Sequence, residues 1–300
     1  MRPILLLLIL LFWATSTHAQ QIPLHGSVVD AQSGKPITAA TIGIVAKNFF
    51  YPANDEGKFN IPNHPAIATD TISISSVGYH THKILARDIT AGITIKLTPY
   101  VTALNEVKIA YKKPVIVKAG SKVKSYFSIT SILPASEVAM FMSGSAHVQG
   151  IIQTAEFYLR EGNIFAKDKG DVTAPFRVKI YGVGADGKPG KELTTDIIIV
   201  SAKKKNEWFA VDISRYRIEN PDSGFFVSFV LLDYTYYRAN SAYHQLGAAT
   251  NSMNILTPRL TATEREFKDV LSYRGTNNGT YWHPERGNYL IRATIAADAP

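Results

Sequence analysis

The stretch that decides the fold is residues 71–79, which read Thr-Ile-Ser-Ile-Ser-Ser-Val-Gly-Tyr. A strand over residues 71–75 places the two isoleucines on one face and the hydroxyl-bearing side chains on the other. Residues 93–97, Ile-Thr-Ile-Lys-Leu, repeat this pattern, and turns rich in Gly, Asp, Ser and Pro separate similar runs from about residue 21 onward. Roughly six or seven short strands without a helical period predict a small β-sandwich.

Six short motifs follow one another through this block. In this order they resemble the carboxypeptidase-regulatory-like domain found on secreted and outer-membrane proteins of Bacteroidetes-type bacteria. The resemblance covers residues 22–110. It implies a seven-stranded transthyretin- or immunoglobulin-like sandwich that serves as an accessory, non-catalytic module. The motifs are Gly26-x-Val28-x-Asp30, Ser33-Gly34-Lys35-Pro36-Ile37, Ala40-Thr41-Ile42, Asp55-Glu56-Gly57-Lys58-Phe59, Ser75-Ser76-Val77-Gly78-Tyr79 and Leu104-Asn105-Glu106-Val107.

The rest of the chain predicts a second all-β domain. A lysine-rich stretch at residues 111–124, with breakers at Pro114 and Gly120, is interpreted as a connector. Residues 125–300 then contain strand-like runs separated by loops rich in Gly, Asp, Pro and Lys. Among the predicted strands are residues 155–159, 176–181, 207–211 and, as the final strand, 291–295. The order of these runs resembles jelly-roll modules of secreted bacterial proteins, some of which bind carbohydrate. The predicted fold class is therefore all-β, with the N-terminal sandwich followed by a jelly-roll β-sandwich.

The N-terminus predicts export from the cytoplasm. Arg2 precedes an apolar run from Pro3 to Ala14, and Thr17-His18-Ala19 fits a signal-peptidase site. We therefore interpret residues 1–19 as a signal peptide and expect no transmembrane segment in the mature chain. The predicted location is the periplasm, the outer membrane or the cell surface.

Composition excludes several classes of function. The chain has no cysteine, which excludes a disulfide scaffold, a thiolate metal site and a cysteine nucleophile. The net charge of +8 lies largely in the connector and turns, and an exported protein rarely meets nucleic acid, so we expect no nucleic-acid partner. An anionic surface, such as lipopolysaccharide or acidic polysaccharide, fits this charge better than nucleic acid does, and a solvated charged face fits it better still.

Familiar catalytic motifs are also missing from the sequence. None of the 8 histidines is followed by Glu three residues later, which excludes the zinc site of a carboxypeptidase. Gly-x-Ser-x-Gly is absent as well. His80 and His82 would share one face of a strand and are the weak metal candidates, but the prediction is no metal and no cofactor.

A group of aromatic residues provides the candidate ligand site. Phe225, Phe226 and Phe229 are expected in the core. A cluster of tyrosines follows, where a strand is predicted to run into a loop bearing Arg238. Rings beside guanidinium and amide groups are typical of platforms that bind sugars or peptides. The predicted ligand-binding residues are Tyr234, Tyr236, Tyr237, Arg238, Tyr243 and Trp282. The alternative for these residues is ordinary packing, with the phenol groups reaching water.

Together these features predict a non-catalytic binding, adhesion or scaffolding protein of the cell envelope. Its partners would be a glycan, a peptide or other surface proteins. One alternative is a glycoside- or peptide-acting hydrolase with unrecognised carboxylates in the C-terminal domain. Another is a purely structural subunit of an outer-membrane complex, which would present a flat apolar patch rather than a groove.

Overall fold

The computed structural model describes most of the chain after the predicted signal peptide. The described residues are 24–38, 40–47, 49–61, 64–76, 78–99, 114–122, 128–129, 132–160, 170–194, 196–239, 244–246, 253–263, 271–276, 279, 281–285 and 287–297. Within these ranges no helix is long and apolar enough to cross a membrane.

The N-terminal domain is a sandwich of two sheets, as predicted. Its strands are β1 (His25–Asp30), β2 (Thr41–Ile44), β3 (Phe49–Pro52), β4 (Lys58–Asn60), β5 (Thr71–Ser75), β6 (His82–Leu85) and β7 (Ile93–Leu97). One sheet has the order β4-β1-β7, in which β1 is parallel to β7 and antiparallel to β4. The other has the order β3-β2-β5-β6 and is antiparallel. Ile72 and Ile74 of β5 are fully buried in the core of this domain, as predicted, and Ser73 and Ser75 are buried as well.

The turn at residues 54–57 closes against the first strand. The Gly57 N–H donates to the Asn54 carbonyl over 2.9 Å, and Val28 N–H donates to the Gly57 carbonyl over 2.8 Å. Gly57 has a φ of 70°, and a Cβ placed there would lie 2.6 Å from the Val28 carbonyl oxygen. Glycine is therefore required both by the backbone conformation and by the close approach of β1.

The C-terminal domain is a second, larger β-sandwich. Its strands are β8 (Val115–Gly120), β9 (Ser128–Ile129), β10 (Ser136–Phe141), β11 (Gly150–Arg160), β12 (Phe176–Val183), β13 (Pro189–Glu192), β14 (Ile198–Val200), β15 (Glu207–Asp212), β16 (Phe225–Val230), β17 (His244–Leu246), β18 (Met253–Ile255), β19 (Arg259–Ala262), β20 (Ser272–Thr276), β21 (His283–Pro284) and β22 (Ile291–Ala297). One sheet has the order β13-β12-β16-β10-β20-β21, with β14 also paired to β12. The other has the order β8-β22-β11-β19-β9, with β15 also paired to β11. The separate hairpin β17-β18 completes the set.

Aromatic side chains fill the space between these two sheets. Phe157 of β11 lies 5.8 Å from Phe229 of β16, and Phe176 of β12 lies 4.5 Å from Phe229, measured between ring centroids. Phe225 and Phe229 are fully buried in this core. Phe226 is also buried, but it packs on the outer face of its sheet in a second, smaller cluster.

The predicted connector is in part a strand. Residues 115–120 form β8, which pairs antiparallel with β22 over six residue pairs. The run Val-Ile-Val has high β propensity, and the lysine and glycine around it do not prevent pairing at a sheet edge. The C-terminal sandwich therefore begins before residue 125, and the jelly-roll assignment stays a prediction.

The two domains pack against each other through β3. Phe50 of β3 is 2% exposed and belongs to the core of the C-terminal domain rather than to that of its own. The Arg177 guanidinium lies 5.8 Å from its ring centroid. A Cβ at Gly43 would lie 2.7 Å from Phe50 and 3.5 Å from Ile197, so a larger residue there would push against both side chains. Lys83 and Asp196 form an ion pair of 3.7 Å across the same junction.

Candidate functional site

A cleft of about 950 Å³ lies between the two domains. One wall comes from the loops and strands of the N-terminal domain that face β14 and β15. The other comes from β14, β15 and the short segments that flank them. This volume lies at the upper end of the range typical of sites for small ligands.

The N-terminal wall is rich in hydroxyl groups and is fixed in place by the family motifs. Its hydroxyl-bearing members are Thr38, Thr41, Ser75, Ser76, Tyr79 and Thr81. The Tyr79 phenol donates to Asp30 Oδ2 over 2.9 Å, and this bond raises the pKa of Tyr79. Backbone N–H donation from Ser33 lowers the pKa of Asp30, and the Tyr79 hydrogen bond adds to this. Two motifs recognised in the sequence thus hold one tyrosine at the cleft.

The C-terminal wall is partly apolar. Ile199, Phe209 and Tyr216 are half-buried, pack against the core and line the cleft. Tyr236 is 1% exposed and also reaches the cleft, where its phenol oxygen lies 3.4 Å from the Thr41 hydroxyl of the opposite domain. Rings and hydroxyl groups therefore meet where the two walls join.

The charges of the cleft are mainly positive. Lys203 and Lys204 stand before β15, and Arg215 and Arg217 follow it. The Arg215 guanidinium lies 4.7 Å from the Tyr216 ring centroid, a cation–π contact that orients it. Burial raises the pKa of Tyr216, and the neighbouring guanidinium opposes that shift. The cleft therefore favours a ligand with negative charge.

Two carboxylates also line the cleft, and their geometry differs from that of a glycosidase. Glu207 and Asp212 are five residues apart on β15, so they point to opposite faces and lie about 17 Å apart along the strand. Asp212 already accepts from the Ser214 N–H over 2.9 Å and from its hydroxyl over 2.6 Å. Paired catalytic carboxyl groups stand about 5–9.5 Å apart.

The structure divides the predicted tyrosine platform. Tyr234, Tyr236, Tyr237 and Arg238 lie on a short helix, α1 (Tyr234–Arg238), rather than on a strand and loop. Tyr237 is 0% exposed, and its phenol donates to the Pro175 carbonyl over 2.7 Å. Only Tyr236 of this set reaches the cleft, and Tyr234 is exposed with Arg238 stacked over its ring at 5.7 Å.

The remaining predicted residues are not part of this helix. Trp282 is 8% exposed and packs edge-on against Tyr181 at 5.6 Å in the outer cluster of the C-terminal domain. Tyr243 lies outside the described residues. The predicted platform is therefore not assembled by the residues that the structure describes.

The two histidines named as weak metal candidates are exposed. His80 precedes β6, and His82 is its first residue. Over the described ranges, no group of three or more His, Asp or Glu side chains is arranged to hold a metal ion.

A buried ionic network that the sequence did not reveal lies on the outer face of the β12-β16-β10 sheet. Lys179 Nζ lies 3.2 Å from Glu137 Oε2 and 3.1 Å from the Tyr181 phenol oxygen. That phenol donates to Glu137 Oε1 over 3.1 Å, and Ser228 contributes a longer bond of 3.4 Å. Both charged side chains are at most 2% exposed.

Burial controls the charges of this network. It raises the pKa of Glu137 and lowers the pKa of Lys179, while their mutual attraction opposes both shifts. Gly279 and Trp282 pack against Tyr181, and the network does not line the cleft. Its contacts connect strands β10, β12 and β16, which is a structural role. The alternating polar residues of β12 had the pattern of a solvent-facing strand, so burial of this face had no sequence signal.

The structure thus defines an all-β protein with two packed sandwich domains and a cleft between them. Residues 24–109 match the family model of the CarboxypepD_reg-like domain, which confirms the domain expected at residues 22–110. No curated protein matches the chain.

Proposed function

We propose that this protein is a non-catalytic binding protein of the cell envelope and that its ligand occupies the interdomain cleft. The observation that carries the proposal is the composition of the cleft, where hydroxyl groups of one domain face half-buried rings and cations of the other. Rings supply stacking surface, and hydroxyl groups and cations orient a polar ligand. Glycans and peptides with negative charge are the ligand classes that fit these groups.

The packing of the domains supports a site made by both. Phe50 anchors the N-terminal domain in the C-terminal core, and Thr41 meets Tyr236 at the base of the cleft. A site held in one shape before binding loses less conformational entropy when the ligand arrives. The CarboxypepD_reg-like domain would then act as one wall of the site and as a support for it.

The hydrolase alternative receives less support from the cleft. Glu207 and Asp212 point to opposite faces of β15, and Asp212 is engaged by Ser214. Hydrolysis through this pair would require a rearrangement of the strand. We therefore propose binding without catalysis.

The structural alternative has one feature in its favour. Val115 and Ile116 are 50% and 54% exposed on β8, which is an edge strand. Exposed apolar residues on a sheet edge are a site for strand pairing with another chain. Sedimentation analysis of the mature chain tests this alternative, because a subunit held through β8 would dissociate in Val115→Lys.

Localisation has a direct test. N-terminal sequencing of the protein recovered from envelope fractions is expected to begin at Gln20, and a cytoplasmic protein that begins at Met1 would contradict export.

Ligand binding is tested by charge reversal in the cleft. The mature chain is screened on glycan arrays and against displayed peptides, and each binder is then titrated by calorimetry. Arg217→Glu is expected to weaken binding at least tenfold, since a charged contact contributes about 1.5–3 kcal/mol. Lys118→Glu is the matched control, because Lys118 is exposed on β8, at the sheet edge opposite β15. Equal binding by both variants would contradict the proposed site.

A further inference from the structure

We propose that the ligand of the cleft is an extended acidic peptide that adds as a strand to the free edge of β15. This inference rests on the proposed function, since it names the ligand class of the same site. It follows from the direction of backbone groups rather than from side chains alone.

The register of β15 shows which backbone groups are free. Ile213 N–H donates to the Gln153 carbonyl over 2.9 Å, so these two residues form a hydrogen-bonded pair with β11. Such pairs alternate along an antiparallel ladder. Ala210, opposite Glu156, therefore occupies a non-hydrogen-bonded position, with its N–H and carbonyl pointing away from β11.

That outward edge faces the cleft. Ala210 is exposed and lines the cleft together with Phe209 and Val211. Within the described ranges, β15 pairs with β11 and no other strand. The edge thus presents unpaired donors and acceptors to a space that is large enough for a ligand.

The sequence of β15 lacks the usual protection of an open edge. Natural edge strands carry Lys, Pro or bulges that discourage pairing. Between Glu207 and Asp212, residues 208–211 read Trp-Phe-Ala-Val, without a charged residue or Pro, and the register of β15 with β11 is regular. In place of such protection, the edge is covered on one side by the N-terminal domain, which restricts access to a chain that fits the cleft.

The charges at the two ends of the strand specify the peptide. Lys203 and Lys204 precede β15, and Arg215 and Arg217 follow it. A six-residue strand is about 20 Å long. A peptide of about this length, extended and with Asp or Glu near both ends, would pair with the edge while its carboxylates meet these cations.

An acidic glycan would meet the same cations, but it has no amide groups to pair with β15. The two ligand classes are therefore separated by changes to backbone groups. Ala210→Pro removes the outward N–H without removing a bond to β11, and proline is tolerated at such edge positions. Ala210→Ser retains the N–H and is the matched control.

The experiment starts from a displayed library of random octapeptides selected on the full mature chain. Selected peptides are expected to be enriched in Asp and Glu near both ends and in β-branched residues between them. Calorimetry is expected to show about tenfold weaker binding to Ala210→Pro, corresponding to one net hydrogen bond, and unchanged binding to Ala210→Ser. Two sets of peptides are made, with N-methyl groups on the odd-numbered or on the even-numbered residues. One set is expected to lose binding to the unaltered protein, because only alternate peptide N–H groups point toward β15. This measurement tests strand addition even if Ala210→Pro fails to fold.

The outcomes separate this inference from the proposed function. Peptide binding that is equal in Ala210→Pro and insensitive to N-methylation in both registers would overturn strand addition. A glycan that binds, is lost in Arg217→Glu and is unaffected in Ala210→Pro would overturn the peptide but keep the cleft as the site. If no peptide or glycan depends on Arg217, both proposals fail.

Discussion

Replacement of Phe50 by Ala tests whether the two domains form one rigid unit. The Phe50 side chain is 2% exposed and is packed among residues of the C-terminal core, although it belongs to β3 of the N-terminal domain. The substitution removes the ring that lies under the Arg177 guanidinium. It leaves the N-terminal core intact, since Phe50 is not part of that cluster.

The expected magnitude follows from the burial of the ring. Phe→Ala changes at fully buried positions cost about 3–5 kcal/mol, from lost transfer free energy and the cavity that remains. Because the contacts of Phe50 cross the domain junction, the substitution is expected to reduce the free energy with which the two domains associate. A loss of this size weakens docking by roughly two to three and a half orders of magnitude.

Urea unfolding and small-angle scattering measure this effect. Phe50→Ala is expected to unfold in two separate transitions, to expand in scattering and to lose affinity for the cleft ligand. Phe59→Ala is the matched control, because Phe59 is 4% exposed but lies in the N-terminal core. That change is expected to lower the stability of the N-terminal domain without separating the domains. If Phe50→Ala unfolds like the unaltered protein and binds equally well, the domains are not held together by this ring.

Three further predictions concern stability. Lys179→Met is expected to destabilise the chain by about 3–5 kcal/mol because Glu137 then stays buried without its cation, and adding Glu137→Leu is expected to restore most of the loss, as measured in urea. Gly57→Ala is expected to lower the melting temperature of the N-terminal domain, because the Cβ would lie 2.6 Å from a carbonyl oxygen. Hydrogen bonds from Ser33 keep the pKa of Asp30 low, so its contribution to stability is present above the ordinary pKa and is lost as the pH falls through the folded-state value. Asp30→Asn is therefore expected to flatten the acid limb of the stability profile.

For each of these predictions, one result would contradict it. Additive losses in the Lys179 and Glu137 double-mutant cycle would show that the pair does not interact. Gly34→Ala is the control for Gly57→Ala, since Gly34 has a similar φ of 69° but a Cβ added there would meet nothing within 4 Å. Equal costs at the two glycines would exclude the close approach as the cause. An unchanged acid limb in Asp30→Asn would remove Asp30 from the groups that govern acid stability.

Strands were predicted well because their signal is local. The alternation at residues 71–75 and the runs at 155–159, 176–181 and 207–211 all lie in strands of the structure. The sequence also indicated a final strand at residues 291–295, which is β22. In each of these segments, a few residues with period-two patterning and adjacent turn residues are enough to predict a strand.

The helix at residues 234–238 shows why the tyrosine cluster is arranged differently from the predicted strand and loop. Asp233 caps this helix by accepting from the Tyr236 N–H over 2.8 Å, so the chain turns helically immediately after β16. The helical turn directs Tyr236 and Tyr237 into the core. Asp followed three residues later by an aromatic residue is a weak capping signal, and five residues give too short a periodic pattern to recognise.

The cleft itself had no signal in the sequence. Its walls come from segments as distant as Thr41, Tyr79, Ile199 and Arg217, and the packing of the two domains against each other brings them together. Non-local contacts of this kind are set by tertiary packing, which local patterns do not specify. The sequence showed the lysines at residues 203 and 204, but it did not show that they lie beside the free edge of β15.

Hydrogen exchange measured by mass spectrometry on the mature chain tests the cleft most directly. With a selected peptide or glycan bound, protection is expected on both walls, in residues 197–217 and around Tyr79, and not on β8 near Lys118. Protection confined to one domain, or located away from the cleft, would contradict a ligand site built by both domains.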